Sequence, residues 1–368
     1  MAARILRIRL PLVFAAIIGM VASGDTALGT GKGLDPISSA DWLGVIAGDD
    51  VGSEIELAAE MAELFANDSP LRVVPVQGDG GLNNISRLLH DPHIDAGFVS
   101  TDVLADTETQ NSSSNLTESL QVVARLCPQE VHLLARAGVD SLADLAGKKV
   151  NFGPVGGSSA VTARNLFRAL KIEVEPVALD GRAAIEQLKQ GAIDASLFVG
   201  AKPMPLIAGI PANQGLHLLP IAFGAGLEEA YLPTGFDHDD YPNLIEMETE
   251  IPSVATGMVL LAAASKDDPG HADRVVQLID TLFSHFGELQ KDGRHPKWRD
   301  INLAAGLPGW TRTPAADAWL AEHPNEDARK GTQVKIEAGA AQSNLPVGQN
   351  QRDVLFKEYL EWQRAKGH

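Results

Sequence analysis

Cysteine is almost missing from this chain. A single one, Cys127, stands among 368 residues, so no intrachain disulfide can form and cysteine pairing says nothing about compartment. Positive charge is also scarce: 30 Lys and Arg face 48 Asp and Glu, a formal net charge of −18. Such a surface repels phosphate backbones and anionic membranes, which argues against nucleic acid as a partner, although a pocket's local field can still favour a small anion. No apolar run has comfortable bilayer-spanning length; the best, Leu10 to Ala22, is too short. Catalytic signatures are missing as well, with neither a G-x-S-x-G elbow nor an H-E-x-x-H pair, so nothing marks an enzyme and no cofactor is implied. What remains is a chain with 45% hydrophobic residues, enough to bury a full core divided into two lobes.

The first residues carry a compartment signal. Arg4, Arg7 and Arg9 precede the apolar run, and small residues follow at Ala22-Ser23-Gly24 and Ala27-Leu28-Gly29, the layout of a secretory signal peptide over 1–29. The reading is a periplasmic protein, with an uncleaved N-terminal anchor as the alternative. No cysteine near the end of the run is placed to carry a lipid.

The most informative stretch is Val150 to Ala160, where a short apolar strand passes through a glycine-rich, acid-free turn into a helix. The first N–H groups of a helix lack intrahelical partners, Gly156 and Gly157 let a ligand approach the main chain, and Ser158 or Ser159 can cap the helix or touch the ligand. Ala163, Leu166, Phe167 and Leu170 then form one buried helical face. The turn lacks the Lys-Ser/Thr of a Walker loop and the G-x-G-x-x-G of dinucleotide folds. An ordinary strand-to-helix turn is the plain alternative.

Alternating strands and helices predict α/β layers with mostly parallel sheets. A faint duplication is visible. Strand Trp42 to Ala47 leads through Gly48-Asp49-Asp50-Val51-Gly52-Ser53 to a helix with Leu57, Met61, Leu64 and Phe65 on one face, as Val150 to Phe152 leads through its own glycine turn. Ile94-Asp95-Ala96 and Ile193-Asp194-Ala195 each open a later strand. If the repeat is real, two lobes face each other, with both glycine turns at carboxyl ends of strands, where ligands bind in such sheets.

Other segments are plainer. Asp106 to Ser119 reads as a mobile surface loop and Glu322 to Asn350 as polar and loop-like. A last helix carries Leu355, Tyr359 and Trp362 on one face and is expected to dock on the body. Cys127 reads as a half-buried strand residue, not a nucleophile. Asp237-His238-Asp239-Asp240 lacks the ordered spacing of a calcium loop and reads as a solvated turn, so no metal site is assigned.

Leu126 to Leu134, Ser141 to Gly153, Gly156-Gly157-Ser158-Ser159 and Ala184 to Ala195 together resemble the TAXI class of TRAP transporter solute-binding proteins. Asp79-Gly80-Gly81-Leu82-Asn83-Asn84 and Ile251 to Thr256 add to the likeness, which runs from about Val45 to about Leu320. The resemblance implies a periplasmic binding protein of type II: two doubly wound α/β lobes with a hinged cleft between them. Lobe 1 would span 33–136 and 248–325, lobe 2 137–247, and a C-terminal extension 326–368. The implied function is to bind a small carboxylate or amino acid and deliver it to TRAP-type membrane permease subunits. A ligand-sensing protein of the same fold, signalling to a membrane receptor, is the alternative. Carried onto this sequence, the ligand loops hold Gly48, Asp49, Asp50, Gly52 and Ser53; Gly80, Gly81 and Asn83; Gln129 and Glu130; Gly156, Gly157, Ser158 and Ser159; and Gly200 and Lys202. One departure stands out: the family's aromatic residue after the first glycine turn is replaced by Ser53-Glu54-Ile55-Glu56.

The two glycine turns differ in charge. The first carries Asp49, Asp50 and Glu54, whereas no acid lies between Gly153 and Lys171. A polarised cleft is expected, with the Gly157 to Ala160 backbone and the two serines on a carboxylate and Asp49 or Asp50 on an ammonium or other cation; the ligand is then a small anion or zwitterion. The acids could instead cap their helix and face water, and Lys202 could be a ligand contact or a solvated loop lysine.

Overall fold

The structure, a computed structural model, describes residues 42–49, 52–110, 116–224 and 226–324. The chain opens with β1 (Trp42–Ile46), α1 (Glu54–Asp68), β2 (Arg72–Val76), α2 (Gly81–His90) and β3 (Ala96–Ser100). Helices α3 (Thr101–Gln110) and α4 (Leu116–Ser119) lead into a long strand, β4 (Leu120–Arg136). A second run follows: β5 (Lys149–Asn151), α5 (Ser158–Leu170), β6 (Glu175–Val177), α6 (Gly181–Lys189) and β7 (Ala195–Gly200). Then come α7 (Pro205–Ala208), β8 (Leu216–Leu218), β9 (Leu232–Phe236), the long β10 (Ile251–Ala263), α8 (His271–Ser284), α9 (Phe286–Leu289) and α10 (Pro314–Glu322).

Strand order is β2-β1-β3-β10-β4-β7-β5-β6, with β8 on β4 and β9 on β10. The two halves follow one plan. β1 lies parallel between β2 and β3, as β5 does between β6 and β7, and β3 and β7 each meet a long strand antiparallel, β10 and β4 respectively. Each half has apolar packing on both faces: Leu133 and Leu197 belong to one cluster, their neighbours Leu134 and Phe198 to the other. That is the pattern of a sheet covered by helices on both sides. The fold is therefore the two-lobed α/β architecture expected. The repeated Ile-Asp-Ala has a structural use in both lobes. The Asp95 and Asp194 N–H groups bond to Gly44 and Lys149 carbonyls, and their carboxylates pair with Arg274 and Arg136, each at 2.6 Å, all at the strand ends remote from the glycine turns.

β4 and β10 belong to both lobes. Up to Glu130, β4 pairs with β10; from Glu130 onward it pairs with β7. β10 begins on β9 and ends between β4 and β3.

Two expectations need correction. The surface loop expected over Asp106 to Ser119 is in part helical: its first residues, Asp106 to Gln110, end the helix Thr101–Gln110, with Asp106 and Thr107 buried, and Leu116–Ser119 form another. The weak intrinsic preference of α3 is overridden by packing against α5, where Arg164 pairs with Asp106 at 2.8 Å. Cys127 is fully buried, since it sits mid-strand on a face covered by the lobe 1 core, and burial pushes its thiol up to about 12. The leader over 1–29, most of Glu322 to Asn350 and the helix with Leu355, Tyr359 and Trp362 lie outside the described residues.

Candidate ligand-binding site

The loops after β1, β2, β5 and β7 converge where the lobes meet. At one end of this seam, the N-termini of α2 and α5 meet each other. The Leu82 and Asn83 N–H groups donate to Gly156 O at 2.8 and 3.3 Å, and Ser158 N–H donates back to Asp79 O at 3.3 Å. Asn83 Nδ2 adds a bond to Val155 O at 3.0 Å. Glycine is needed for so close an approach: a Cβ on Gly81, where φ is +57°, would come within 2.6 Å of Gly156 O, and one on Gly80 within 2.3 Å of Ser158 Oγ. Neither serine caps α5, because the helix begins at Ser158 with Gly157 as its cap. Ser159 Oγ instead accepts from Val199 N–H at 3.1 Å, whereas Ser158 Oγ is buried with no hydrogen-bond partner.

At the other end, Gly52 and Ser53 press on Gly200. Ser53 Oγ accepts from Ala201 N–H at 2.8 Å and donates to Ala201 O at 3.3 Å. Asp49 ties its own turn by accepting from Gly52 N–H at 3.0 Å; Asp50 lies outside the described residues. Gln129 Nε2 donates to Glu54 Oε1 at 2.5 Å. Glu54 is buried against Gly48. Desolvation raises its carboxyl to about 7, the Gln129 bond opposes the rise, and Asp49's charge adds to it. Glu130 accepts from Lys297 Nζ at 2.6 Å and from the Lys202 backbone N–H at 2.9 Å. The Lys202 ammonium lies away from the seam, on Asp240 at 2.8 Å and Gly235 O at 2.6 Å, so Asp240 is an ion-pair partner within its turn.

A third group was not singled out from sequence. Asp102, buried on α3, accepts from Thr162 Oγ1 of α5 at 2.6 Å, Thr256 Oγ1 of β10 at 3.1 Å and Tyr231 OH at 3.4 Å. Burial raises its carboxyl above the usual range, and the Thr162 and Thr256 bonds hold the rise in check. Its partners come from both lobes and from a shared strand. The described candidate residues thus fall at one seam, apart from the Lys202 side chain.

A family model described as NMT1-like matches residues 55–309. The chain belongs to the NMT1-like family. Solved structures similar to this family member include an amino acid ABC transporter substrate-binding protein from Streptococcus pneumoniae bound to L-arginine: 15% identity, 67% of this chain and 91% of that one, TM-score 0.38. The alkanesulfonate-binding protein SsuA from Xanthomonas axonopodis pv. citri, bound to MOPS, is 18% identical over 68% of this chain and 75% of that one, TM-score 0.43. A TctC solute-binding protein from Polaromonas is 15% identical over 66% and 88%, TM-score 0.36.

Proposed function

We propose that this chain is an extracytoplasmic solute-binding subunit of a TRAP-type secondary transporter, closing its lobes on a small carboxylate or amino acid and delivering it to membrane permease subunits. The observation that carries the reading is the meeting of α2 and α5 end to end across the seam, with the Ser158 hydroxyl buried and unpartnered between them. Each helix start bears roughly half a positive charge, so a carboxylate seated there would be held by N–H groups of both lobes. Opening frees Ser158 N–H from Asp79 O and offers it to the ligand. The TAXI-like blocks from Leu126 to Ala195 support the transporter assignment, and the leader over 1–29 supports delivery to the periplasm. Among the described residues, no helix is long and apolar enough to cross a membrane.

Thermal denaturation against amino acids, mono- and dicarboxylates and small phosphate esters tests this reading. A ligand at about 100 times its Kd adds about 2.7 kcal/mol of stability. A shift with a carboxylate that Ser158→Ala diminishes supports it; no response to any anion or zwitterion overturns it.

A further inference from the structure

The floor of the seam holds an unspent hydrogen-bonding atom. Gln129, on the crossing strand β4, is wholly buried; its amide nitrogen is on Glu54, and its amide oxygen has no hydrogen-bond partner. An acceptor left this way is costly, and among the described residues no donor reaches it. Beside it the Glu54 carboxylate fills the space that glycine leaves at position 48, where a Cβ would come within 1.7 Å of Glu54 Oε2. Asp49, on the same turn, adds negative charge next to Glu54. The lysines that approach the adjoining Glu130 are committed, Lys297 to Glu130 itself and the Lys202 ammonium to Asp240. A second carboxylate placed here would meet repulsion and find no donor on Gln129 Oε1. A nitrogen bearing several hydrogens meets the opposite situation: an acceptor in want of a donor, and a carboxylate to pair with.

We infer that Glu54 and Gln129 receive a protonated nitrogen of the ligand, an ammonium or amidinium group that donates to Gln129 Oε1 and pairs with the Glu54 carboxylate. This rests on the seam being the ligand site, and it moves the cationic end of the ligand from the Asp49–Asp50 turn to the floor beneath it. Glu54 directly follows Ser53, whose hydroxyl bridges the lobes through Ala201, so parting the lobes breaks that bridge beside the pair. With the carboxylate at the α2 and α5 N-termini, the ligand class becomes a zwitterion and not a simple carboxylic acid.

The test is thermal denaturation with amino acids, L-arginine among them, each measured beside its 2-oxo acid, which keeps the carbon chain and carboxylates but lacks the α-ammonium. Wild-type protein, Glu54→Gln and Gln129→Met are compared, with folding checked by circular dichroism. The expected result is that an amino acid binds, its 2-oxo acid binds at least about tenfold more weakly, and both variants lose about tenfold or more in affinity for the amino acid. Should Glu54→Gln fail to fold, Gln129→Met decides alone. A 2-oxo acid that binds as well as its amino acid, or wild-type affinity in a folded variant, overturns the inference and leaves the proposed function standing. A panel in which nothing binds overturns the proposed function, and this inference with it.

Discussion

Thr162 of α5 donates a 2.6 Å hydrogen bond to the buried Asp102 of α3, joining one lobe to the other through a carboxylate almost wholly removed from solvent. Replacing the hydroxyl by a methyl leaves Asp102 in place with one donor fewer. Thr162→Val should therefore cost about 1 to 3 kcal/mol in urea denaturation, and small-angle scattering should show a larger radius of gyration as the closed form loses this tie. An unchanged radius and midpoint would remove Asp102 from the closure mechanism.

Glu54 imposes a pH dependence with a definite sign. Its carboxyl titrates near 7 in the folded protein against 4.5 for a free side chain, because burial disfavours the charged form. The folded state therefore holds this proton more tightly than the unfolded state. Its stabilising effect is fully present below about pH 4.5 and is lost as pH rises towards about 7, at about 1.4 kcal/mol per pH unit. Glu54→Gln removes this component, so the difference in stability between wild type and variant should change between pH 5 and 7 and level off above. Parallel curves would contradict the burial of this group.

His132 slopes the other way. Desolvation lowers its imidazole to about 3, and the neutral ring stacks on Phe236 and hydrogen-bonds Tyr241 OH at 2.7 Å. An unfolded histidine takes up a proton as pH falls below about 6.5, and the buried one does not, so this group withdraws stability on acidification. Its ring resonances should stay fixed in an NMR titration from pH 8 to 5. A titration with a midpoint near 6.5 would show that the ring reaches water.

Gly81 should resist any side chain. A Cβ there meets Gly156 O and Gly157 C, both at 2.6 Å, and both belong to backbone of the opposite lobe that cannot swing aside. Gly81→Ala is expected to hold the lobes apart, enlarging the radius of gyration while each lobe stays folded. Gly224→Ala, where an added Cβ meets nothing within 4 Å, is the control and should leave scattering unchanged.

Much of this fold was legible because its signals are local. The faces of α1 and α5 are set by apolar spacing: Leu57, Met61, Leu64, Phe65, Ala163, Leu166 and Phe167 are buried as that spacing requires, and Leu170, at the end of α5, is only partly buried. The glycine turns announced themselves by composition. Asp102 did not, since its partners Thr162, Tyr231 and Thr256 lie 60, 129 and 154 residues away, and the stretch just after it reads as polar loop. From sequence, Glu54 reads only as one of three acids at a helix start, adding charge to the cleft or facing water. Only the space left at Gly48 and the reach of Gln129 from β4 reveal it as interior. Sequence spacing carries no trace of contacts that exist only once two lobes have come together.

The meeting of α2 and α5 has a mechanical consequence. Two like partial charges are brought head to head, offset by the carbonyls of Asp79 and Gly156 between them and by the Asp79 carboxylate, which accepts from Asn83 Nδ2 at 3.1 Å. A bound anion would act as a shared counter-ion, drawing both helices inward at once. The same two ends are tied to each other through the Gly156 and Asp79 carbonyls, so an anion entering there has to displace a carbonyl from its N–H, and the junction is a latch that the ligand must lift.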